Sequence, residues 1–336
     1  MTKYIVRRLF QAVIALFMLS MLLFAWLRSL PGGPVSALLG ERSTPEAREA
    51  LERALGIDQP IHIQYWRFLT RALRGDFGTS TFVAPGQDAL AVFFNRLPAT
   101  IELSVFAMII AISLAIPLGY VAARHRGTAL DTTAVISSLI GVAVPVFFLA
   151  FVLRDIFAVQ LGWLPPSGRE SVGINATRIT GLFVLDGLMT REWDAVWDAI
   201  KHLILPSFAL ASIPFAVIFR ITRASVLDVL DEDYVRTARA KGLKANVIRL
   251  RHILRNALIP VVTTVGLQIG ALLAGAILTE RVFSFRGIGH ALAYGFTNRD
   301  YAVLQVLIMM AALIYIVVNL LVDIAYAVID PRVRAK

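Results

Sequence analysis

Six long apolar runs constrain this chain more than any other feature. They lie near Ile5–Leu30, Pro98–Ala123, Thr132–Leu161, Leu203–Thr222, Leu258–Thr279 and Val303–Ile329, each bounded by charges or by Pro and Gly clusters. At 1.5 Å per residue every run is long enough to cross the ~30 Å hydrocarbon core as a helix. Backbone groups find no water there, so each run must satisfy its own hydrogen bonds. The expected fold is therefore all-α, a polytopic membrane protein with six transmembrane helices. Composition agrees. The 336 residues are 57% hydrophobic and 17% charged, and the mean hydropathy is +0.71, which would leave a water-soluble domain short of polar surface.

The first run follows Lys3, Arg7 and Arg8, as a signal peptide would. It is too long for an h-region of roughly 7–15 residues, and Leu27-Arg-Ser-Leu-Pro-Gly-Gly is a poor cleavage site. It reads as a retained helix. The expected division is 1–30 for the N-terminal end and first span, 31–97 for an extracytoplasmic segment, and 98–336 for a core with a cytoplasmic loop at 224–257. Within 31–97, Thr44 as N-cap, Pro45 at the first helical position and Gly56 beyond Leu55 predict a short helix.

Six spans put both termini on one side. That side collects Lys3, Arg7 and Arg8, then Arg124 and Arg126, then the dense basic loop from Arg220 to Arg255, then Arg332, Arg334 and Lys336. The positive-inside rule makes it cytoplasmic. The net charge of +10 thus reflects membrane orientation, and no nucleic-acid partner is expected.

The residue inventory excludes several chemistries. With no cysteine there are no disulfides, thiolates or iron–sulfur clusters. No Walker A loop, H-E-x-x-H or G-x-S-x-G is present, so no catalytic residue is assigned and the chain is not expected to be an enzyme. His62, His125, His202, His252 and His290 are scattered, which argues against a metal. Asn175-Ala-Thr matches a glycosylation acceptor and is discounted as a short motif.

Charged and polar residues inside spans must face protein or water. Arg154 and Asp155 point to different helix faces and are expected to pair with neighbouring helices. Glu102, Asn319 and Asp323 are the candidate structural or pathway polar residues, the last two sharing a face within reach of Arg332. No acid–base chain crosses the bilayer, and no internal repeat is evident. Both absences weigh against an ion-coupled secondary transporter. In the cytoplasmic loop, Leu227, Leu230, Tyr234 and Ala238 follow helical spacing, while Asp231, Glu232 and Asp233 precede Arg236, Arg239 and Lys241. An amphipathic helix is expected, either lying on anionic lipid or docking in a groove of another protein.

Asp233-Tyr-Val-Arg-Thr-Ala-Arg-Ala-Lys-Gly-Leu, followed by Arg251-His-Ile-Leu-Arg-Asn-Ala-Leu-Ile-Pro, resembles the EAA loop of ABC-importer permeases of the dipeptide/oligopeptide/nickel branch. The resemblance continues through Pro31-Gly-Gly-Pro, Gly75-Asp-Phe-Gly-Thr-Ser, Leu97-Pro-Ala-Thr-Ile-Glu-Leu, Leu161-Gly-Trp-Leu-Pro-Pro-Ser-Gly, Glu280-Arg-Val-Phe-Ser-Phe-Arg-Gly-Ile-Gly, Arg299-Asp-Tyr and Asp330-Pro-Arg. The general EAA pattern opens with Glu-Ala-Ala, where this chain has Arg236-Thr237-Ala238. Pro-Gly-Asp-Pro is Pro31-Gly-Gly-Pro here.

The resemblance implies a MetI-like type I importer fold and the first, B-type permease of a pair. It also implies a homologous second permease, two cytoplasmic ATPase subunits and an extracytoplasmic solute-binding protein as partners, beside membrane lipid. ATP and Mg would sit on the partner subunits, with no cofactor on this chain. Asp233, Tyr234, Arg236, Thr237, Ala238, Arg239, Lys241, Gly242 and Leu243 would form the ATPase-coupling helix, with Tyr234, Ala238 and Gly242 at the contact. The expected cargo is a dipeptide or oligopeptide, with nickel chelates, glutathione and oligosaccharides as alternatives.

Overall fold

A computed structural model describes residues 2–29, 35, 39, 44–174 and 176–329, with the backbone alone at 2–5, 55, 273–275 and 323–329. The Pro31-Gly-Gly-Pro segment, Asn175, the Asp323 side chain, Arg332 and the Asp330-Pro-Arg motif lie outside the described residues. Among the described residues the structure is helical, without a β-strand. In order come α1 (Thr2–Ser29), α2 (Pro45–Leu55), α3 (Ile61–Leu73), α4 (Ala89–Arg124), α5 (Ala129–Ala143) and α6 (Val146–Leu153), which runs into a π-helical segment Arg154–Gln160. Then follow α7 (Phe183–Thr190), α8 (Trp193–Leu230), α9 (Asp233–Ala240), α10 (Ala245–Val247) and a second π-helical segment Ile248–Leu254. The chain continues through α11 (Arg255–Gly275), α12 (Ile277–Val282), α13 (Ile288–Asn298) and α14 (Tyr301–Ile329).

Among the described residues five helices are long and apolar enough to cross a membrane: Val6–Ser29, Ala89–Arg124, Trp193–Leu230, Ala245–Leu272 and Tyr301–Val322. A sixth span requires Ala129–Ala143 and Val146–Gln160 to count together, and these are bent by 103°. The run Thr132–Leu161, read as one span kinked at Pro145, is thus two helices with a sharp break between them. The cause is Pro145, which has no N–H to donate and disfavours the helical region for the residue before it. Val144 is accordingly extended, with φ −79° and ψ 123°. Pro117, Pro206, Pro214 and Pro260, by contrast, lie inside continuous helices.

The chain divides into two compact units, Met1–Thr100 with Arg286–Leu320, and Ile101–Phe285 with Leu321–Lys336. In the first, Phe77, Val92, Phe93, Val303, Val306 and Leu307 form the buried core, and Leu23 and Leu27 of α1 close on Leu304. The short helix of the external segment forms as its caps require. Thr44 accepts a hydrogen bond from the Ala47 amide at 3.3 Å, and Gly56 ends α2 at φ 65°.

In the second unit α8 is the central element, packing against α5, α6, α7 and α11. Two of its approaches are glycine-dependent. A Cβ on Gly119 of α4 would lie 2.9 Å from Thr222 Cβ and 3.0 Å from the Phe219 carbonyl of α8. At Gly187 of α7 it would lie 2.8 Å from a Val196 methyl.

Candidate functional site

The segment singled out in the sequence folds as a separate short helix. α8 ends at Leu230, and the chain turns through Asp231 and Glu232 before α9 begins. Leu227 and Leu230 therefore belong to a different helix from Tyr234 and Ala238, and the single apolar stripe of the sequence reading does not exist. Its residues still converge. Val235 and Ala238, three apart on one face of α9, are buried with Tyr120, Ala123, Val226, Ile248, Ile253 and Ala257, and Leu227 and Leu230 pack around them.

This corrects the placement of Ala238. Expected at an outward contact, it is only 4% exposed and faces the chain's own core. The outward face is Asp233, Tyr234, Arg236, Thr237, Arg239 and Lys241, all exposed. Tyr234 also accepts a hydrogen bond from Asn256 Nδ2 at 3.0 Å. Asp233 in the first turn and Arg239 in the last complement the helix dipole.

The end of α9 explains Gly242. Its amide donates to the Arg239 carbonyl at 3.0 Å, and the Leu243 amide donates to the Ala238 carbonyl at 3.3 Å, the paired bonds of a left-handed helix stop. Gly242 has φ +70°, and a Cβ there would meet nothing within 4 Å. Backbone conformation, not crowding, calls for glycine. Leu243 is exposed at the exit.

Of the polar residues expected inside spans, Glu102 and Arg154 reach other segments, whereas Asp155 is bonded within its own segment and not to a neighbouring helix. Glu102 is buried and accepts from Arg169 Nη2 at 2.6 Å and from the Val184 amide at 2.8 Å. Arg169 also donates to the Gly181 carbonyl at 2.8 Å and lies 3.7 Å over the Phe183 ring. Arg154 donates to the Val282 carbonyl at 2.9 Å, and Asp155 accepts from Gln160. Asn319 Oδ1 is buried without a hydrogen-bond partner among the described residues.

Three carboxylates the sequence did not single out organise further parts. Asp131, at the start of α5, receives both Nε and Nη2 of Arg223 from α8 at 2.6 and 2.8 Å, a bidentate fork. Nothing local marks the pair, whose members stand 92 residues apart. Asp300, fully buried, receives Ser80 Oγ at 2.7 Å and the amides of Thr81, Phe82 and Val83 at 3.1, 2.9 and 3.0 Å. The Gly75–Ser80 and Arg299–Tyr301 motifs, quoted separately for their resemblance, thus meet at one carboxylate.

Asp186 receives both the amide and the hydroxyl of Thr180, and the Gly181 amide. Burial opposes its ionisation, but these hydrogen bonds outweigh that and hold its carboxyl below the usual range. The Asp76 carboxyl is likewise held low, chiefly by the hydrogen-bonded Arg71 guanidinium. Among the described residues no group of three or more His, Asp or Glu comes together as metal ligands would.

Comparison with known proteins places this architecture. The family described as "Binding-protein-dependent transport system inner membrane component" matches residues 115–335, and its N-terminal counterpart matches residues 1–104. The dipeptide transport system permease protein DppB of Alkalihalophilus pseudofirmus is 42% identical over 99% of this chain and 100% of its own length. The di/tripeptide transport system permease protein DppB of Pseudomonas aeruginosa is 43% identical over 99% of both chains. The glutathione transport system permease protein GsiC of Escherichia coli K12 is 37% identical over 100% of both.

Proposed function

Because this chain belongs to the family of binding-protein-dependent transport system inner membrane components, we propose that it is the permease subunit of an ATP-driven importer of short peptides. Its multi-pass character in the inner membrane follows from the family and from the five or six apolar helices. The peptide cargo rests on full-length likeness to relatives named for dipeptide and di/tripeptide transport. Glutathione is the second reading, since it is itself a short peptide and a glutathione permease is nearly as similar.

In this reading the chain pairs with a homologous second permease and receives cargo from an extracytoplasmic solute-binding protein. ATP and Mg are handled by two cytoplasmic ATPase subunits, and this chain performs no hydrolysis of its own. Both termini lie in the cytoplasm, where the basic segment from Arg220 to Arg255 meets the ATPases.

The observation that carries the coupling role is the two-sidedness of α9. Val235 and Ala238 fix it to its own chain, while Tyr234, Arg236, Arg239 and Lys241 stand outward. A partner groove that took the outward face would move the helix together with the cluster beneath it. Closure of the ATPases on ATP would then shift the attached ends of α4 and α8 and alternate access to the passage.

The test is charge reversal on that face. In the co-expressed importer, Arg239→Glu with Lys241→Glu should lower ATPase co-purification and peptide uptake by about tenfold, the scale of one or two lost charge-assisted contacts. The chain should remain inserted. Full co-purification and uptake in that variant would remove α9 from the coupling role.

A further inference from the structure

A cavity of about 490 Å³ in the first unit lies against the C-terminal turn of α1, the α2–α3 pair, residues 76–81 and the start of α14. Its wall carries four arginines, Arg28, Arg67, Arg71 and Arg299, and one carboxylate, Asp76. Arg71 is committed to that carboxylate through Nε and Nη2 at 2.8 and 3.0 Å. Arg28, Arg67 and Arg299 have no carboxylate partner among the described residues. Among the described residues its wall therefore carries an excess of three positive charges.

Two arginines are positioned by what lies next to them. Arg28 lies 4.7 Å over the Phe24 ring, which holds a guanidinium without neutralising it. Arg67 Nη1 lies 2.5 Å from where a Cβ on Gly56 would sit, so a side chain at 56 would push the guanidinium from this position. Two further polar groups on the wall are unmatched. The Tyr301 hydroxyl and Gln64 Oε1 are both buried without a hydrogen-bond partner among the described residues. The first can donate to an anion and the second needs a donor.

Depth identifies the ligand. The span Val6–Ser29 has 24 residues, about 36 Å of helix against a hydrocarbon core of ~30 Å. Its last turn therefore stands at the level of lipid headgroups, whichever face of the membrane that is. Arg28 is in that turn, and Phe24 and Leu27 beside it, both buried, line the same wall.

We propose that this cavity binds the headgroup of an anionic phospholipid. The phosphate sits among Arg28, Arg67 and Arg299, receives a hydrogen bond from Tyr301, and a headgroup hydroxyl donates to Gln64. Phosphatidylglycerol carries both groups. The inference is independent of the cargo and of the coupling role of α9.

The test uses the full-length chain, delipidated in detergent and titrated separately with phosphatidylglycerol, phosphatidylcholine and inorganic phosphate. Retained adducts are read by native mass spectrometry and stability by the thermal midpoint. Phosphatidylglycerol should be retained and raise the midpoint, and phosphatidylcholine should do neither. Arg28→Gln with Arg67→Gln should weaken retention by about tenfold or more, while Arg74→Gln, outside the cavity, should leave it intact. Should the double variant fail to fold, Tyr301→Phe and Arg299→Gln carry the same comparison.

Retention unchanged in all these variants would overturn the proposal. So would a midpoint that rises with inorganic phosphate but shows no preference between the two lipids, which would make the site one for a soluble anion. Displacement of phosphatidylglycerol by a dipeptide would assign the cavity to cargo instead.

Discussion

At the scale of single residues, buried carboxylates do the joining. Asp300 shows how much one can hold. One oxygen collects a hydroxyl and three successive amides from residues 80–83, and the other faces the Val303 amide at the start of α14. Asp300→Asn keeps the shape but loses the charge and turns an acceptor into a donor aimed at N–H groups. Hydrogen bonds to charged groups contribute about 1.5–3 kcal/mol each, and an unsatisfied buried donor costs about as much. We expect a loss of about 3 kcal/mol, read as a lower thermal midpoint of the purified chain, whereas Ser80→Ala should cost about 1 kcal/mol. The Asp186 carboxyl permits a pH prediction. Its folded value lies below the ordinary one, so its stabilisation is complete above about pH 4 and is lost as pH falls through the lowered value. The hydrogen-exchange protection factors of Thr180 and Gly181, whose amides it holds, should fall below pH 4. Asp186→Asn should exchange fast at neutral pH as well.

At the scale of elements, two glycines of similar appearance differ in what they permit. Gly119 lets α4 reach the α8 backbone, and Gly242 turns the chain out of α9 in open space. Gly119→Leu should cost about 1–3 kcal/mol through overpacking and lower the yield of folded protein. Gly242→Ala should cost about 1 kcal/mol through backbone conformation alone and leave folding intact, as thermal scans of the two variants will distinguish. The sequence made the spans legible because apolar runs register the membrane directly, but it understated their ends. Hydropathy reports only the hydrocarbon core, whereas α4 begins at Ala89 and α8 runs from Trp193 to Leu230, carrying polar turns beyond it. The inward turn of Ala238 was hidden for another reason. Helical phase was carried from Leu227 across Asp231 and Glu232, where the helix stops. The pairing of Asp131 with Arg223 left no local trace, since it depends on which helices become neighbours.

For the whole molecule, the basic residues near the span ends predict the sidedness of the chain. A tag at either terminus should be protected in intact cells and labelled only after the inner membrane is opened; labelling of one terminus alone would mean an odd number of crossings. That count rests on the segment broken at Pro145, so the same experiment decides whether Ala129–Gln160 crosses or returns. The length of α8 has a mechanical consequence. Its 38 residues make a rod of about 57 Å, with α9 joined at one end. In the proposed coupling, a push at α9 would travel to the far end undiminished only as far as the rod is stiff, and Pro206 and Pro214 are the two places where its hydrogen-bond ladder lacks a rung. The compliance of the rod is set there, so substituting those prolines would change how far a given stroke reaches while leaving intact the surface on which it is delivered.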